Sequence, residues 1–412
     1  MSKQQLLRTV GVAALSATLQ NDVGAAALAQ DYTVVFHNPD PEYYVEGPGL
    51  ARLADGSLVA VVPVVPRHQW TVERRVEHSL THILHSGDGG LTWQPRSQLP
   101  YYSAVPWTDG GTLYLFAMKG GKEFRNEDLL LLSSGDGGLT WSAPVTLFKG
   151  AFWNCHTGMV IRDRRLYWAV DDLSLGNKRG PLAVIGDLSK DPMDPAAWRR
   201  SNAVPYPGVP SELGSPRFNK GGGQYLEPNV IDVHGRIRLL MTVKPWGQTT
   251  SGICAVLDLD DGGEKEPVLR FTQFHPFPGG QVKFCVIRDE KSRMFWSTAN
   301  LVVDSQGEFP WWEQGKKQGV YSYGSYGGND RRFLMLQYSL DGLNWFPAGC
   351  VAQAGKVSQS FMYARPVIDG EDLVIIARSS VNAPNQHDAD FATFHRVRDF
   401  RRLALNLEPA GE

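Results

Sequence analysis

Tyr363, in Phe361-Met362-Tyr363-Ala364-Arg365-Pro366, and Glu227, in Tyr225-Leu226-Glu227-Pro228-Asn229, offer the most chemistry in this chain. A phenol can serve as nucleophile or base if a carboxylate and an arginine lower its barrier to deprotonation. A carboxylate in a cationic cleft can act as a base, or as an ion-pair partner orienting Lys244 or Arg365. Asp171, followed by Asp172, can supply a general acid or belong to a solvated turn. His156, after Trp153-Asn154-Cys155, can shuttle a proton near neutral pH or be a hydrogen-bonded wall residue. Further polar residues recur at comparable places and suit substrate binding: Glu46, Arg67, Lys119, Asn154, Lys244, Gln281, Lys283, Arg365 and Arg378. His78 and His82 share a strand face, but no third residue completes a metal set, so no metal and no cofactor is expected. Trp70, Trp246, Trp311 and Trp312 can stack on sugar rings or pack locally. The loop Asn385-Gln386-His387-Asp388-Ala389-Asp390 can add polar contacts to a sugar or lie exposed.

These residues need a scaffold, and the chain announces one by repetition. Ser86-Gly87-Asp88-Gly89-Gly90-Leu91-Thr92-Trp93 returns unchanged as Ser134 to Trp141, and more loosely as Ser339 to Trp345. Glycines supply left-handed backbone without steric cost, Ser and Asp oxygens accept backbone N–H bonds, and Thr and Trp begin a strand. A weaker repeat is an apolar hairpin with a charged turn. Its six copies are Pro48–Val65, Tyr102–Met118, Cys155–Val170, Glu227–Val243, Val282–Thr298 and Tyr363–Arg378. Helical periodicity is nearly absent, which predicts an all-β chain. The spacing suits a six-bladed β-propeller of four-stranded antiparallel blades, each hairpin being a blade's two inner strands. Asp187–Trp198, Leu257–Gly263 and Phe391–Phe400 are read as outer strands of the blades without a clean turn motif. Tyr32–His37 is expected to join the last blade and close the ring. The long insertions Asp191–Gly223 and Asn300–Arg332 read as loops.

The 412 residues are 42% hydrophobic and 20% charged, with a formal net charge of −2. That is ordinary for a globular domain and gives no basic field for nucleic acid. Lys3 and Arg8, the apolar run Val10–Leu19 and Ala27-Leu28-Ala29 suggest a signal peptide within 1–30 and a secreted or periplasmic protein. The alternative is an N-terminal extension of a cytoplasmic one. The propeller is assigned to 31–405 and a tail to 406–412. No later apolar run is long enough to span a membrane. The four cysteines lack metal-ligand spacing and read as free thiols.

The Ser-x-Asp-x-Gly-x-Thr-Trp repeat, the "Asp-box", resembles the sialidase superfamily of six-bladed propellers. That resemblance implies a glycan-processing site at one mouth of the channel. It matches Glu227 to the family's glutamate and Tyr363 to its nucleophilic tyrosine. Of the three arginines that clamp the substrate carboxylate, the first position holds Glu46, the second Lys244, and the third corresponds to Lys283. Glu77, His78 and His82 stand where the family has an acidic Asp. A negative Glu46 would repel a docking carboxylate, which argues against sialic acid. The expectation is an exo-acting glycoside hydrolase on a glycan terminus, with Tyr363, Glu227, Asp171 and His156 catalytic. The alternatives are a lyase on a uronate-containing glycan, using His156, Tyr363 and Arg365, and a non-catalytic glycan-binding propeller.

Overall fold

The computed structural model describes residues 26–67, 79–118, 128–175, 179–208, 223–245, 252–263, 265–303, 330–356 and 358–407. After β1 (Thr33–His37) the chain lays down six antiparallel sheets in turn. Blade I is β2 (Tyr43–Val45) with β3 (Gly49–Arg52), β4 (Leu58–Pro66), β5 (Leu80–Ser86) and β6 (Gln94–Leu99). Blade II is β7 (Ser103–Asp109), β8 (Thr112–Met118), β9 (Leu129–Ser134) and β10 (Val145–Phe148). Blade III is β11 (Phe152–Trp153) with β12 (Val160–Arg162), β13 (Arg165–Asp172), β14 (Gly180–Asp187) and β15 (Trp198–Arg200). Blade IV is β16 (Gly223–Val233), β17 (Arg236–Pro245), β18 (Ile253–Asp260) and β19 (Val268–Pro276). Blade V is β20 (Cys285–Arg288), β21 (Phe295–Asn300), β22 (Phe333–Ser339) and β23 (Phe346–Gln353). Blade VI is β24 (Ser360–Asp369), β25 (Asp372–Ser380) and β26 (Phe391–Val397), with β1 as its outer strand.

The chain is therefore the expected six-bladed propeller, closed by its own first strand. Thr33 pairs with Phe394 and His37 with Phe391, so the ring is fastened by backbone bonds across the whole sequence. The six hairpins fall where the repeat put them. The outer strands differ in register. Asp187–Trp198 is the connection between β14 and β15, containing a single 3-10 turn at Pro195–Ala197, and only β14 before it and β15 after it are strands. The core lies between blades. Phe116 of blade II stacks on Trp168 of blade III with centroids 4.6 Å apart, and all of β4 is buried. Such a strand is apolar along its whole length because it is covered on both faces, which hides the usual alternation.

Each Asp-box is a closed hydrogen-bond unit. Ser86 Oγ donates to Asp88 Oδ1 at 2.7 Å and accepts from the Gly90 N–H at 2.8 Å. Thr92 donates through its N–H and its hydroxyl to the same carboxylate, at 2.9 and 2.6 Å. The Thr92 hydroxyl and then its N–H hold that carboxyl down at about 2. The motif also does something its local pattern does not disclose: it packs on the preceding blade. The blade I turn meets Phe394 and receives Arg396 at the Gly89 carbonyl, 2.8 Å away. The blade II turn meets Ile83, and the blade V turn meets Ile231. Gly90 has φ +93°, and a Cβ there would lie 2.2 Å from the Phe394 ring. Gly90→Ala is expected to cost about 3 kcal/mol, by overpacking and left-handed strain together, and to lower the melting temperature. Gly135→Ala, where a Cβ meets nothing within 4 Å, serves as the neutral control.

The chain around Ala27-Leu28-Ala29, read above as a cleavage signal, lies on the outer edge of blade V. Leu28 and Ala29 donate their N–H groups to the carbonyls of Cys350 and Val351, at 2.7 and 2.9 Å. His395 Nδ1 lies 2.8 Å from the Ala29 carbonyl oxygen. Cleavage after Ala29 would remove these contacts. Among the described residues no helix is long and apolar enough to cross a membrane.

Candidate active site

The first strands of five blades depart from a continuous ladder near their starts: two carry a bulge, two are interrupted and one begins late. In blade IV, Leu226 pairs with Thr242 and Asn229 with Leu240, so Glu227 and Pro228 oppose one residue. In blade VI, Met362 pairs with Arg378 and Arg365 with Ile376, so Tyr363 and Ala364 oppose one. β2 and β3 are interrupted at Glu46-Gly47-Pro48, β11 and β12 at Asn154 to Met159, and β20 begins only after Gln281 to Phe284. A bulge re-aims a side chain, and bulges concentrate near functional sites. Glu227 and Tyr363 go further: their φ angles are +57° and +50°. Among the described residues, the other five non-glycine residues with positive φ sit at hairpin turns or next to a 3-10 turn. A left-handed conformation in a Cβ-bearing residue costs about 1–2 kcal/mol, so the fold holds both against strain.

The two side chains share one electrostatic neighbourhood. Burial is the main cause that lifts the Tyr363 phenol well above its ordinary value, and the Glu227 charge lifts it further. Arg331 and Arg378 oppose that rise; their guanidinium carbons stand 5.7 and 5.0 Å from the centre of the Tyr363 ring. Tyr363 is thus a neutral phenol at rest, within the influence of the Glu227 charge and flanked by two cations. Close packing fixes it there. A Cβ on Gly47 would lie 2.9 Å from Cys155 Cβ and 3.2 Å from Tyr363 Cδ1. Burial, with Glu227 and Glu46, also pushes the Cys155 thiol well up, against Lys283, so it stays protonated.

Asp171, at the end of β13, lies directly behind Glu227. Its Oδ2 accepts the Glu227 N–H at 3.2 Å and lies 3.5 Å from an Arg179 terminal nitrogen. Its Oδ1 is buried with no hydrogen-bond partner among the described residues. Burial raises this carboxyl to about 7, although Arg179 and the Glu227 amide pull the other way. Its neighbour Asp172, the last residue of β13, caps the following turn, accepting from the Ser174 N–H and hydroxyl at 2.8 and 2.6 Å. Arg378 is 1% exposed, donates to the His387 carbonyl, and lies over the Tyr44 ring at 4.9 Å. The loop Asn385–Asp390 is therefore no exposed loop. It is a buried shelf that holds the arginines: Gln386 Oε1 accepts the Arg331 N–H at 3.1 Å, and His387 Nδ1 contacts Asp388 at 2.8 Å.

Arg331 was not among the sequence candidates. It stands just before β22, where the third strand of blade V begins at the same mouth, whereas the candidates came from the ends of first and second strands. The weak signal was the polar run Asp330-Arg331-Arg332 before the apolar Phe333-Leu334-Met335-Leu336. The structure gathers Glu46, Asp171, Glu227, Tyr363 and Arg378 at the mouth and places several others elsewhere. Asn154 is wholly buried, its amide nitrogen donating to Ala169 O at 2.7 Å and Thr157 Oγ1 at 3.0 Å and its oxygen accepting the Cys155 N–H at 2.8 Å, so it builds the wall. His156 is 1% exposed, accepts the Leu50 N–H at Nδ1, and is held neutral by burial and by Arg365 and Lys283. A ring so far below its ordinary value does not shuttle protons at neutral pH. Arg365 reaches across the channel below the mouth to Thr157 O and Cys285 Sγ, at 3.2 and 3.1 Å. Lys283 donates to Ala364 O at 2.8 Å, Gln281 is buried at 5% exposure, and Arg67 has a buried Nε with no partner among the described residues. His82 packs on Phe36 and lies 3.1 Å from Gln98 Nε2. Among the described residues no group of three His, Cys, Asp or Glu could hold a metal. Lys119, His78, Glu77, Trp70, Trp246, Trp311 and Trp312 lie outside the described residues, as does the side chain of Lys244.

No family model and no curated protein matches the chain. Solved structures do resemble it. The α-L-arabinanase of Penicillium chrysogenum, complexed with arabinobiose, is 13% identical with TM-score 0.53, over 90% of this chain and 98% of that one. A Hadza microbial sialidase is 16% identical with TM-score 0.58, over 89% and 68%. Trypanosoma rangeli sialidase, in complex with sialic acid, is 15% identical with TM-score 0.56, over 92% of this chain and 61% of that one. At these identities the likeness concerns the fold: the chain shares the six-bladed propeller architecture of these structures.

Proposed function

We propose that this chain is an exo-acting glycoside hydrolase that cleaves a sugar from a glycan terminus, with Tyr363 as nucleophile and Glu227 as the base that activates it. The observation that carries this reading is the pair of strained bulges placing a neutral, charge-flanked phenol beside a buried carboxylate. Tyr363 Oη attacks the anomeric carbon as its proton passes to Glu227, so the nucleophile never has to exist as a free buried phenolate. Asp171 donates a proton to the leaving-group oxygen, then accepts one from the water that releases the sugar from Tyr363. Arg331 and Arg378 bind sugar oxygens and stabilise negative charge developing on the phenol oxygen. Glu46, buried where its charge acts on Cys155, disfavours a carboxylate-bearing sugar, so the reading favours a neutral terminal residue over sialic acid. The fold neighbours include proteins described as arabinanase and sialidase, which supports carbohydrate as the substrate class.

A panel of aryl glycosides and oligosaccharides, with a sialoside included, tests the proposal. Release of a terminal reducing sugar supports it. Conjugated unsaturated uronate in the ultraviolet would instead support the lyase, and binding without turnover across the panel the non-catalytic reading. Asp171 adds a pH dependence. Its carboxyl is raised, so between about pH 4 and 7 the folded protein holds a proton that the unfolded chain has released. Stability therefore falls as pH rises through that window, and turnover falls as pH rises through about 7 with loss of the acid. Asp171→Asn should flatten the melting temperature against pH between about 4 and 7 and abolish the alkaline limb of the activity profile. An unchanged pair of profiles would remove Asp171 from the mechanism.

A further inference from the structure

Below the Tyr363–Glu227 level the channel contains two buried hydrogen-bond donors that point to a ligand. Leu50 donates its N–H to His156 Nδ1 at 3.2 Å, so Nδ1 carries the lone pair and the neutral ring keeps its proton on Nε2. That Nε2 is buried and has no partner among the described residues. Arg365 enters from blade VI, and one terminal nitrogen reaches Thr157 O of blade III and Cys285 Sγ of blade V. Its Nε is likewise buried without a partner, and no described carboxylate forms an ion pair with this guanidinium. Thr157, whose carbonyl takes that terminal nitrogen at 3.2 Å, directly follows His156 in the chain, and the Arg365 charge helps to hold the His156 ring neutral. Lys283 also acts on that ring, and its Nζ donates to Ala364 O, the carbonyl next to Arg365 in sequence.

Both unpartnered atoms are donors, and the local charge is positive. Buried donors are ordinarily paired, and an unpaired one is costly. A group that satisfies both must accept from two directions and is favoured if it is negative. A cavity of about 540 Å³ opens beneath, lined by Met159, Val230, Val286, Pro366 and Arg365. At its far rim Arg162 pairs with Asp232 at 2.9 Å. This gives a small solute a route from the mouth opposite the candidate active site.

We propose that the channel binds a monovalent inorganic anion, a halide in class, between His156 Nε2 and the Arg365 guanidinium. Bound there, it would fix Arg365 and with it the Tyr363-Ala364 bulge two residues upstream. The site does not depend on which reaction the mouth performs. Bromide is the probe. Crystals grown or soaked in sodium bromide should show an anomalous peak on the channel axis within contact of both nitrogens. Sodium bromide or chloride should raise the melting temperature by several degrees over sodium gluconate at equal ionic strength. His156→Asn, too short to reach the anion, should lose that difference. A water in place of the peak, together with identical melting in the three salts, overturns the proposal. The wild-type measurements decide the matter even if the variant does not fold.

Discussion

Tyr363→Phe is expected to lower turnover on an activated glycoside by at least about a thousandfold, with little change in melting temperature. The size follows from losing a nucleophile, whose deletion commonly costs several orders of magnitude. The small structural effect follows from the packing. The ring, not the hydroxyl, fills the space against Gly47 and Cys155 and lies beneath Arg331 and Arg378. The strained backbone at φ +50° is common to both residues. A variant that keeps more than about a tenth of the activity would show that attack comes from elsewhere.

Glu227→Gln is expected to cut turnover by about a hundredfold to ten-thousandfold, the usual range for loss of a positioned proton acceptor. It should also lower the Tyr363 pKa, because the Glu227 charge is one of the causes that raise it. The combination separates two accounts. If Glu227 only positioned its neighbours, an easier phenol would leave activity unchanged or improved. If Glu227 takes the proton, activity falls although the phenol ionises more readily. Ultraviolet difference titration of the phenolate reads the first quantity, and single-turnover kinetics read the second. Glu227→Asn refines the test. Asn tolerates left-handed backbone better than Glu, so this variant should be inactive yet no less stable than Glu227→Gln.

Much of the fold was legible in the sequence because its determinants are local. The Asp-box closes within eight residues, from Ser86 to Trp93. The hairpins show as apolar runs around charged turns. What the Asp-box does to the preceding blade, pressing Gly90 on Phe394, was not legible, since those residues are distant in sequence. The site divides in the same way. Glu227 and Tyr363 were found through the resemblance, and nothing in the residue string shows that both backbones are left-handed. Arg331 was missed because its position comes from tertiary contacts, the Gln386 side chain at its N–H and the Phe361 N–H at its carbonyl. Asn154, His156 and Arg365 were placed with the mouth residues because strand position gives the blade, not the depth along the channel at which a side chain turns inward.

The most direct measurement is to trap the intermediate. A fluorinated glycosyl substrate whose release step is slowed should label the protein once, and digestion with mass spectrometry should find the sugar on the peptide carrying Tyr363. A stable adduct on Tyr363, absent in Tyr363→Phe, is the result predicted. Turnover with no adduct and with inversion at the anomeric carbon, or a sugar attached to any other residue, would contradict it.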